Sequence, residues 1–238
     1  SKLLSKRLVV KERKMEKAVV LLSGGLDSTT CMAVAAEKGF EIYPISFNYH
    51  QRHSIELDGA QKVAAFYNVK KHLIIETNME TIGGSALTDK AIDVPEGEVS
   101  RTDIPITYVP ARNLIFLSYA LGYAEVVGAH RIYIGVNSVD YSGYPDCRPE
   151  FIDHFQILAD YSTKTAHKGE RIEIMTPLQQ LSKKDIILLA VRLKAPLELT
   201  HSCYKGGEKA CGICDSCKLR LQGFQQAGID DPVEYEIK

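Results

Sequence analysis

A short segment rich in glycine and hydroxyl side chains near the N-terminus has the composition of a phosphate-binding loop. It runs as Ser-Gly-Gly-Leu-Asp-Ser-Thr-Thr from Ser23 to Thr30, between an apolar run and a helical pattern. A helix N-terminus offers unpaired N–H groups to an anion, and glycines let the backbone approach it closely. Asp27 would repel phosphate unless a Mg²⁺ ion lies between them. The segment therefore predicts a site for the phosphates of ATP and for Mg²⁺.

We expect the nucleotide-binding segment to include the end of the preceding strand, the loop and the first turns of the helix. The Walker A loop and the dinucleotide fingerprint are excluded, because neither Gly-Lys-Ser/Thr nor the G-x-G-x-x-G spacing is present. The alternative is a plain Ser-Gly-Gly turn with a Ser or Asp helix cap. The candidate nucleotide-binding residues are Leu22, Ser23, Gly24, Gly25, Leu26, Asp27, Ser28, Thr29, Thr30, Cys31 and Met32.

Four of the six cysteines lie close together near the C-terminus, in the spacing Cys203-x7-Cys211-x2-Cys214-x2-Cys217. Overlapping C-x-x-C units are typical of zinc knuckles, and four thiolates complete a tetrahedral shell that leaves no position for water. The spacing therefore predicts a structural zinc site rather than a catalytic one. A redox C-x-x-C pair and unrelated free thiols are the alternatives.

A loop with aromatic, acidic and basic side chains spans 136–149, after the predicted fourth strand. Ligands of open α/β sheets bind at the carboxyl ends of the strands. Aromatic planes, carboxylates and an arginine suit a flat heterocycle that carries a carboxylate. An ordinary polar loop with packed tyrosines is the alternative. The candidate substrate-binding residues are Asp140, Tyr144, Asp146 and Arg148.

The elements that position these residues alternate between strands and helices. Continuous apolar runs indicate strands that are buried on both faces of a parallel sheet. The pattern predicts an α/β fold with a doubly wound, five-stranded parallel sheet and a C-terminal zinc-knuckle appendage. Predicted strands cover 18–22, 42–47, 72–75, 132–135 and 172–175, and predicted helices cover 28–38, 54–67, 112–127, 149–166, 182–193 and 218–227. The expected divisions are an N-terminal extension (1–14), an ATP-binding domain (15–198) and a zinc-binding segment (199–238).

Composition narrows the class of function. The 238 residues include 29 basic and 30 acidic side chains, and this balance disfavours non-specific binding to duplex nucleic acid. No apolar run reaches the length that spans a bilayer, and the basic N-terminus lacks the apolar region of a signal peptide. Clustered cysteines without a secretion signal indicate a metal site in a reducing compartment, so we expect a cytoplasmic protein.

Two resemblances sharpen these expectations. The Ser-Gly-Gly-x-Asp-Ser-Thr loop resembles the pyrophosphate loop of the N-type ATP pyrophosphatases, which share an adenine nucleotide alpha hydrolase-like fold. The resemblance implies that the loop holds the ATP pyrophosphate while a substrate oxygen attacks the α-phosphate. A carboxylate adenylated in this way gains AMP as its leaving group.

The run Gly-Tyr-Pro-Asp-Cys-Arg-Pro-Glu-Phe at 143–151 closely resembles the 7-cyano-7-deazaguanine synthase family of the queuosine pathway. Three further motifs match it, Val109-Pro110-x-Arg112-Asn113, Thr200-x-Ser202-Cys203-Tyr204 and Cys211-Gly212-x-Cys214-x-x-Cys217, and the resemblance covers about 17–227. It implies that 7-carboxy-7-deazaguanine and ammonia are converted to a nitrile with ATP and Mg²⁺, through an adenylated carboxylate and an adenylated amide. It also implies a homodimer that requires neither membrane nor nucleic acid.

Three residues are the candidates for catalysis. Asp27 is expected to hold Mg²⁺, while Arg112 and Lys183 are expected to neutralise the developing phosphate charge. A surface salt bridge is the alternative for either basic residue. One run departs from the family pattern, because Asn48 and His50 stand where the family has Asp and Gly. Contacts to the nucleotide are expected to differ at that point.

Two other functions stay open. The first is a ligase or thiolase with the same loop that acts on another carboxylate or on tRNA; thiolation would require a reactive cysteine and a basic surface. The second is a non-catalytic zinc-knuckle module that binds RNA. That module would leave the phosphate loop unexplained, and Lys and Arg are not clustered around the four cysteines.

Overall fold

The computed structural model describes residues 15–49, 55–97, 103–139 and 143–236. Five parallel strands form one sheet in the order β3-β2-β1-β4-β5. The chain runs outward from β1 through β2 to β3, then returns to the other side of β1 for β4 and β5. This confirms the predicted doubly wound sheet. The strands are β1 (Lys17–Leu21), β2 (Glu41–Asn48), β3 (Leu73–Glu76), β4 (Arg131–Tyr133) and β5 (Glu173–Met175).

Helices connect the strands and cover both faces of the sheet. They are α1 (Leu26–Glu37), α2 (Ile55–Phe66), α3 (Arg112–Val127), α4 (Pro149–Ser162), α5 (Lys164–His167), α6 (Lys183–Arg192) and α7 (Asp215–Ala227). Single turns of 3₁₀ helix occur at Met79–Thr81, Pro145–Cys147 and Leu197–Leu199. None of the helices in the described ranges is both long and apolar enough to cross a membrane.

The side chains of β1 alternate between two hydrophobic cores. Val19 and Leu21 pack with apolar residues of α3 and α4, whereas Ala18 and Val20 pack with residues of α1, α2 and α6. A strand buried on both faces has no polar side, which explains its continuous apolar sequence. The central strand is therefore held by both layers, and its carboxyl end is a rigid base for the loop that follows.

Three of the predicted helices have a boundary that differs from the structure by more than one residue. The helix α1 begins at Leu26 rather than at 28, so Asp27 lies in its first turn. The predicted helix 149–166 is two helices, because Thr163 has an extended backbone and its side chain accepts a hydrogen bond from the Ala166 N–H. The helix α7 begins at Asp215 rather than at 218, with Cys214 as the residue before its first turn.

The C-terminal segment packs against the sheet domain rather than standing apart from it. The helix α7 lies along α6, and all four cysteines of the predicted zinc site are buried within the core that α3 covers. A buried ion pair joins Arg220 to Asp231, with N–O distances of 2.8 and 2.9 Å. Tyr235 adds a hydrogen bond from its hydroxyl to the same carboxylate, which ties the end of the chain to α7. The division near 198 stays a prediction.

Candidate active site

One large cavity opens at the carboxyl ends of β1, β2 and β4. Parallel sheets bind ligands where the strand order reverses, and here that point lies between β1 and β4. The cavity has a volume of about 230 Å³. Its lining combines the phosphate loop with α2, α3, α6 and the C-terminal segment, so it joins parts of the chain that are far apart in sequence.

Hydroxyl groups organise the phosphate loop from inside. The hydroxyls of Ser23 and Ser28 lie 3.0 Å apart, and Ser28 also donates to the Gly25 carbonyl at 3.1 Å. The Leu26 N–H, in the first turn of α1, donates to the hydroxyl of Ser202 at 3.3 Å. The loop is therefore closed by its own side chains and held by one residue of the C-terminal segment. First-turn N–H groups of a helix have no partner within the helix, so this turn suits an anion.

The two loop glycines meet different requirements. Gly24 has a φ of +91°, and a Cβ at that position would lie 2.1 Å from the Glu56 carbonyl oxygen and 2.6 Å from the Ala60 nitrogen. Gly24 is therefore needed for the packing of the loop against α2. Gly25 has an ordinary φ of −82°, and its nearest such contact is 3.5 Å. Of the two glycines, only Gly25 lines the cavity. Its backbone is therefore the one that a phosphate in the cavity could approach closely.

Asp27 and Lys183 form an ion pair inside the cavity, although 156 residues separate them. The lysine Nζ donates to both carboxylate oxygens, at 2.7 and 2.8 Å. The Lys183 side chain is 8% exposed and that of Asp27 is 21% exposed. This is not an exposed surface salt bridge, because both side chains line the cavity beside the phosphate loop. Its role in catalysis stays a prediction.

Arg112 begins α3 and lines the opposite side of the cavity. It contacts the Tyr49 hydroxyl at 3.5 Å. Burial by itself lowers the pKa of Arg112, but the nearby hydroxyls of Tyr49 and Tyr144 and the other acidic groups around it raise that pKa above its usual range. The guanidinium is therefore a fixed positive charge in the cavity wall.

Glu56 also lines the cavity, and it is not among the residues predicted from the sequence. It lies in the first turn of α2, and burial raises the pKa of its carboxyl to about 7 against the opposing effects of Arg112 and His201. In the sequence Glu56 is one polar residue on a helix with an apolar face. Nothing local marks it, because only the packing of α2 against the phosphate loop turns it toward the cavity.

The predicted nucleotide-binding segment divides into two groups. The residues that line the cavity are Leu22, Ser23, Gly25, Leu26, Asp27 and Ser28. The others lie beneath it: Thr29, Thr30, Cys31 and Met32 have no exposed surface, and burial raises the pKa of the Cys31 thiol above its usual range. These four residues support the loop from within α1 rather than facing the cavity.

The predicted substrate loop is only partly directed at the cavity. Tyr144 is buried, lines the cavity and lies 2.9 Å from the Thr107 hydroxyl. Asp146 instead accepts a hydrogen bond from the Asn113 N–H at 2.9 Å, in the first turn of α3. The N-cap residue of α3 is Ala111, whose methyl group cannot accept a hydrogen bond, so Asp146 supplies the missing acceptor. Arg148 is exposed and absent from the cavity lining, and Asp140 lies outside the described residues.

The four predicted zinc ligands do come together. Their sulfur atoms all lie within 4.8 Å of one another, and the Cys211 and Cys217 sulfurs are 3.9 Å apart. A tetrahedral site with Zn–S bonds of about 2.3 Å has sulfur–sulfur distances of roughly 3.8 Å. Backbone N–H groups of Cys211 and Cys214 donate to cluster sulfurs at 3.3 and 3.4 Å, which supports negative charge there. The donor set therefore fits a structural zinc ion.

The C-terminal segment supplies a wall of the cavity. Four residues between 202 and 220 line it. Ser202 and Tyr204 lie on either side of Cys203, and the other two are Ser216 and Arg220. Ser202 and Tyr204 belong to the motif Thr200-x-Ser202-Cys203-Tyr204, for which the sequence predicted no role. Asn48 lies outside the lining and donates to Glu76 at 3.1 Å on the exposed edge, and His50 lies outside the described residues.

A known protein family matches the part of the chain that forms this site. The model of the family described as "Queuosine biosynthesis protein QueC" matches residues 17–228. The chain belongs to the QueC family. The match includes the phosphate loop, the whole sheet and the four cysteines, so it covers every element that lines the cavity.

Individual relatives of the QueC family are similar over nearly the whole chain. A protein of Desulfitobacterium hafniense (strain DSM 10664 / DCB-2) is 60% identical over 221 residues, which are 93% of this chain and 94% of that protein. A protein of Acetivibrio thermocellus is 59% identical over 93% of this chain and 98% of its own length. A protein of Legionella pneumophila subsp. pneumophila is 55% identical over 93% of this chain and 98% of its own length. All three are named 7-cyano-7-deazaguanine synthase.

Proposed function

We propose that this chain is an ATP-dependent ligase that converts 7-carboxy-7-deazaguanine and ammonia to 7-cyano-7-deazaguanine. The three relatives described above carry that name and are 55–60% identical to it over the aligned residues. The observation that carries the proposal is the convergence of the phosphate loop with Arg112 and Lys183 on one cavity at the switch point of the sheet. An adenylating enzyme requires such an arrangement of anion donors and positive charge.

The residues divide the work of adenylation. The loop, through Ser23, Gly25 and Ser28, holds the pyrophosphate while a carboxylate oxygen of the substrate attacks the α-phosphate. Pyrophosphate leaves, and Arg112 and Lys183 stabilise the negative charge that builds up on the transferring phosphate. Ammonia then displaces AMP and gives the amide. A second adenylation, of the amide oxygen, lets AMP leave again so that the nitrile forms.

Two metals complete the proposal. Mg²⁺ would be held at Asp27, where it would replace the Lys183 ammonium as the partner of the carboxylate and neutralise phosphate charge. Zinc would be held by Cys203, Cys211, Cys214 and Cys217, and its contribution is structural because four thiolates leave no open position. The fit of the sulfur distances supports this part of the proposal.

The deazapurine is placed between the phosphate loop and the substrate loop. Tyr144 and Tyr204 both line the cavity and offer aromatic planes for the ring. Asp146 acts through α3, because it fixes the first turn from which Arg112 projects. Asp140 and Arg148 stay as predicted substrate contacts. Free ammonia as the nitrogen source, a homodimer and a cytoplasmic location are further parts of the proposal; reduced thiols at the zinc site favour the last.

The test is to incubate the zinc-loaded protein with 7-carboxy-7-deazaguanine, ammonium, Mg²⁺ and ATP, and to follow AMP and the nitrile by mass spectrometry. We expect both products. Asp27→Asn, which keeps the shape of the side chain but removes its charge, should form neither. Asp153→Asn, on the exposed face of α4, is the matched control and should retain full activity.

The possible results separate the alternatives. AMP that forms only with a different carboxylate would keep the adenylating function but overturn the substrate. AMP that forms with tRNA would favour the alternative function, a thiolase that acts on tRNA. A protein that binds zinc and RNA but forms no AMP with any acceptor would overturn the enzyme proposal and favour the zinc-knuckle module.

A further inference from the structure

The carboxylate of Glu56 lies in a cavity that must receive two anions. ATP and a carboxylate substrate both carry negative charge, and a carboxylate in the wall repels them. The first turn of α2 packs directly on the phosphate loop, as the 2.1 Å clash of a Gly24 Cβ with the Glu56 carbonyl shows. Glu56 is therefore beside the reaction centre, where only a cation would benefit from its charge.

The groups around Glu56 offset the negative charge of its carboxylate only in part. The titratable and charged groups that interact with it are Arg112 on α3, Tyr49 after β2, and His201 and Cys203 in the C-terminal segment. Among the described residues, none is placed to donate a hydrogen bond to its carboxylate. A partly buried carboxylate without such a donor is costly, so its retention in a cavity points to a ligand that donates.

We infer that Glu56 binds the ammonium ion and accepts one of its protons, which makes it a catalytic residue of the amide-forming step. The inference rests on the proposed function. Ammonium loses one proton to the Glu56 carboxylate, and the resulting ammonia attacks the acyl carbon of the adenylate. The new C–N bond forms as the bond between that carbon and the AMP oxygen breaks. AMP takes up the second proton that the nitrogen loses, and Glu56 returns its own proton to water.

Mg²⁺ is the other cation that a carboxylate here could hold, and the two predict different defects. A Mg²⁺ ligand would act in adenylation, before any ammonia is used. An ammonium-binding residue would act only after the adenylate has formed. The Asp27 carboxylate lies in the phosphate loop itself, whereas Glu56 approaches from α2, which favours separate roles for the two carboxylates.

The test is Glu56→Gln, which keeps the shape of the side chain but removes the charge and the basic oxygen. Adenylation is followed as exchange of labelled pyrophosphate into ATP with the carboxylate and no ammonia present. Amide formation is followed with ammonium, and separately with hydroxylamine, which is largely unprotonated at neutral pH. We expect exchange and the KM for Mg²⁺ within about twofold of wild type, at least a 50-fold loss of kcat/KM for ammonium, and near wild-type trapping by hydroxylamine.

The matched control is Asp58→Asn, which removes an exposed carboxylate from the same first turn of α2 and should change none of these values. Equal losses with ammonium and hydroxylamine, or a loss of exchange, would overturn the inference and favour a role in folding or in Mg²⁺ binding. Wild-type protein that shows exchange but never forms amide, or shows no exchange at all, would instead overturn the proposed function, and the inference would fall with it.

Discussion

At the residue scale, the site is defined by charges that compensate one another across long stretches of sequence. Lys183 neutralises Asp27 within the cavity, and the Arg112 guanidinium in the cavity wall interacts with Glu56 and with Asp146. Such charges are already fixed in place before the ligands arrive, so little reorganisation is needed when negative charge develops on the phosphate. Two predictions follow from individual side chains.

The first prediction concerns Lys183. Lys183→Met keeps most of the apolar stem but removes the ammonium, so the rate of AMP formation should fall by about 10²- to 10³-fold. The adjacent Lys184→Met, on the exposed side of α6, is the control and should leave the rate of AMP formation unchanged. Steady-state measurement of AMP checks both. A Lys183→Met enzyme with normal turnover would show that the lysine serves only as a partner for Asp27.

The second prediction concerns the pH dependence of stability. Burial raises the pKa of Glu56 to about 7 in the folded protein, above its ordinary value of 4.5. The folded state therefore favours the protonated carboxyl, and Glu56 lowers the free energy of unfolding increasingly as pH rises from about 4.5 to about 7. Glu56→Gln should accordingly be more stable than wild type at pH 8, by on the order of 1–3 kcal/mol, and nearly equal to it at pH 4.5.

Denaturant unfolding at the two pH values measures this difference. The same comparison with Asp58→Asn should show little dependence on pH, because that carboxylate is exposed. A Glu56→Gln protein that is less stable than wild type at pH 8 would contradict the assignment of a raised pKa and would indicate a structural role for the charge.

At the scale of elements, the phosphate loop is held between β1 and α1 and is pressed against α2. Gly24 makes that packing possible, and Gly135, two residues after β4, packs closely on the other side, where a Cβ would lie 3.1 Å from the Asp27 carbonyl. Sequence patterns predicted most of these elements, because strand and helix periods are local properties. They predicted helix ends less well, since the start of α7 depends on where the cysteines sit and the break at Thr163 depends on a side-chain cap.

The third prediction separates the two loop glycines. Gly24→Ala forces a Cβ into α2 at a left-handed φ, so we expect it to lose about 3 kcal/mol of stability or more. Gly25→Ala has room for its methyl group and should fold normally, but ATP-dependent exchange should fall because the methyl would lie beside the Ser23 and Ser202 hydroxyls in the cavity. Thermal unfolding together with pyrophosphate exchange measures the contrast. Equal stability of the two variants would contradict the packing role of Gly24.

At the scale of the whole molecule, the zinc segment and the sheet form one site. The cysteines are buried in the same core as α3, and the residues around them close one wall of the cavity. The buried Arg220 is part of that wall, and its hydrogen bonds to Asp231 and to the Thr200 hydroxyl hold it in place. The proposed zinc ion would therefore stabilise the fold and shape the site together, without taking part in the chemistry.

The fourth prediction is that removal of zinc disables the enzyme through its structure. The native protein should contain one zinc ion per chain, and Cys217→Ser should lower the free energy of unfolding by at least about 3 kcal/mol, or roughly 6–12 °C in melting temperature. Exchange should be lost in the same variant because the Ser202 contact to the loop loosens. Metal analysis and calorimetry check this, and a zinc-free protein with unchanged stability would contradict it.

The sequence by itself determined the order and type of the strands and helices, the phosphate loop, the four cysteines and the family resemblance. Each of these depends on residue types at short spacings, which neighbouring residues specify. Only the tertiary structure shows that Lys183 pairs with Asp27 and that Glu56 lines the cavity. It also shows that Asp146 accepts a hydrogen bond from the first turn of α3 rather than lining the cavity. These contacts join segments up to 156 residues apart, and they arise from how the layers pack on the sheet rather than from any local pattern.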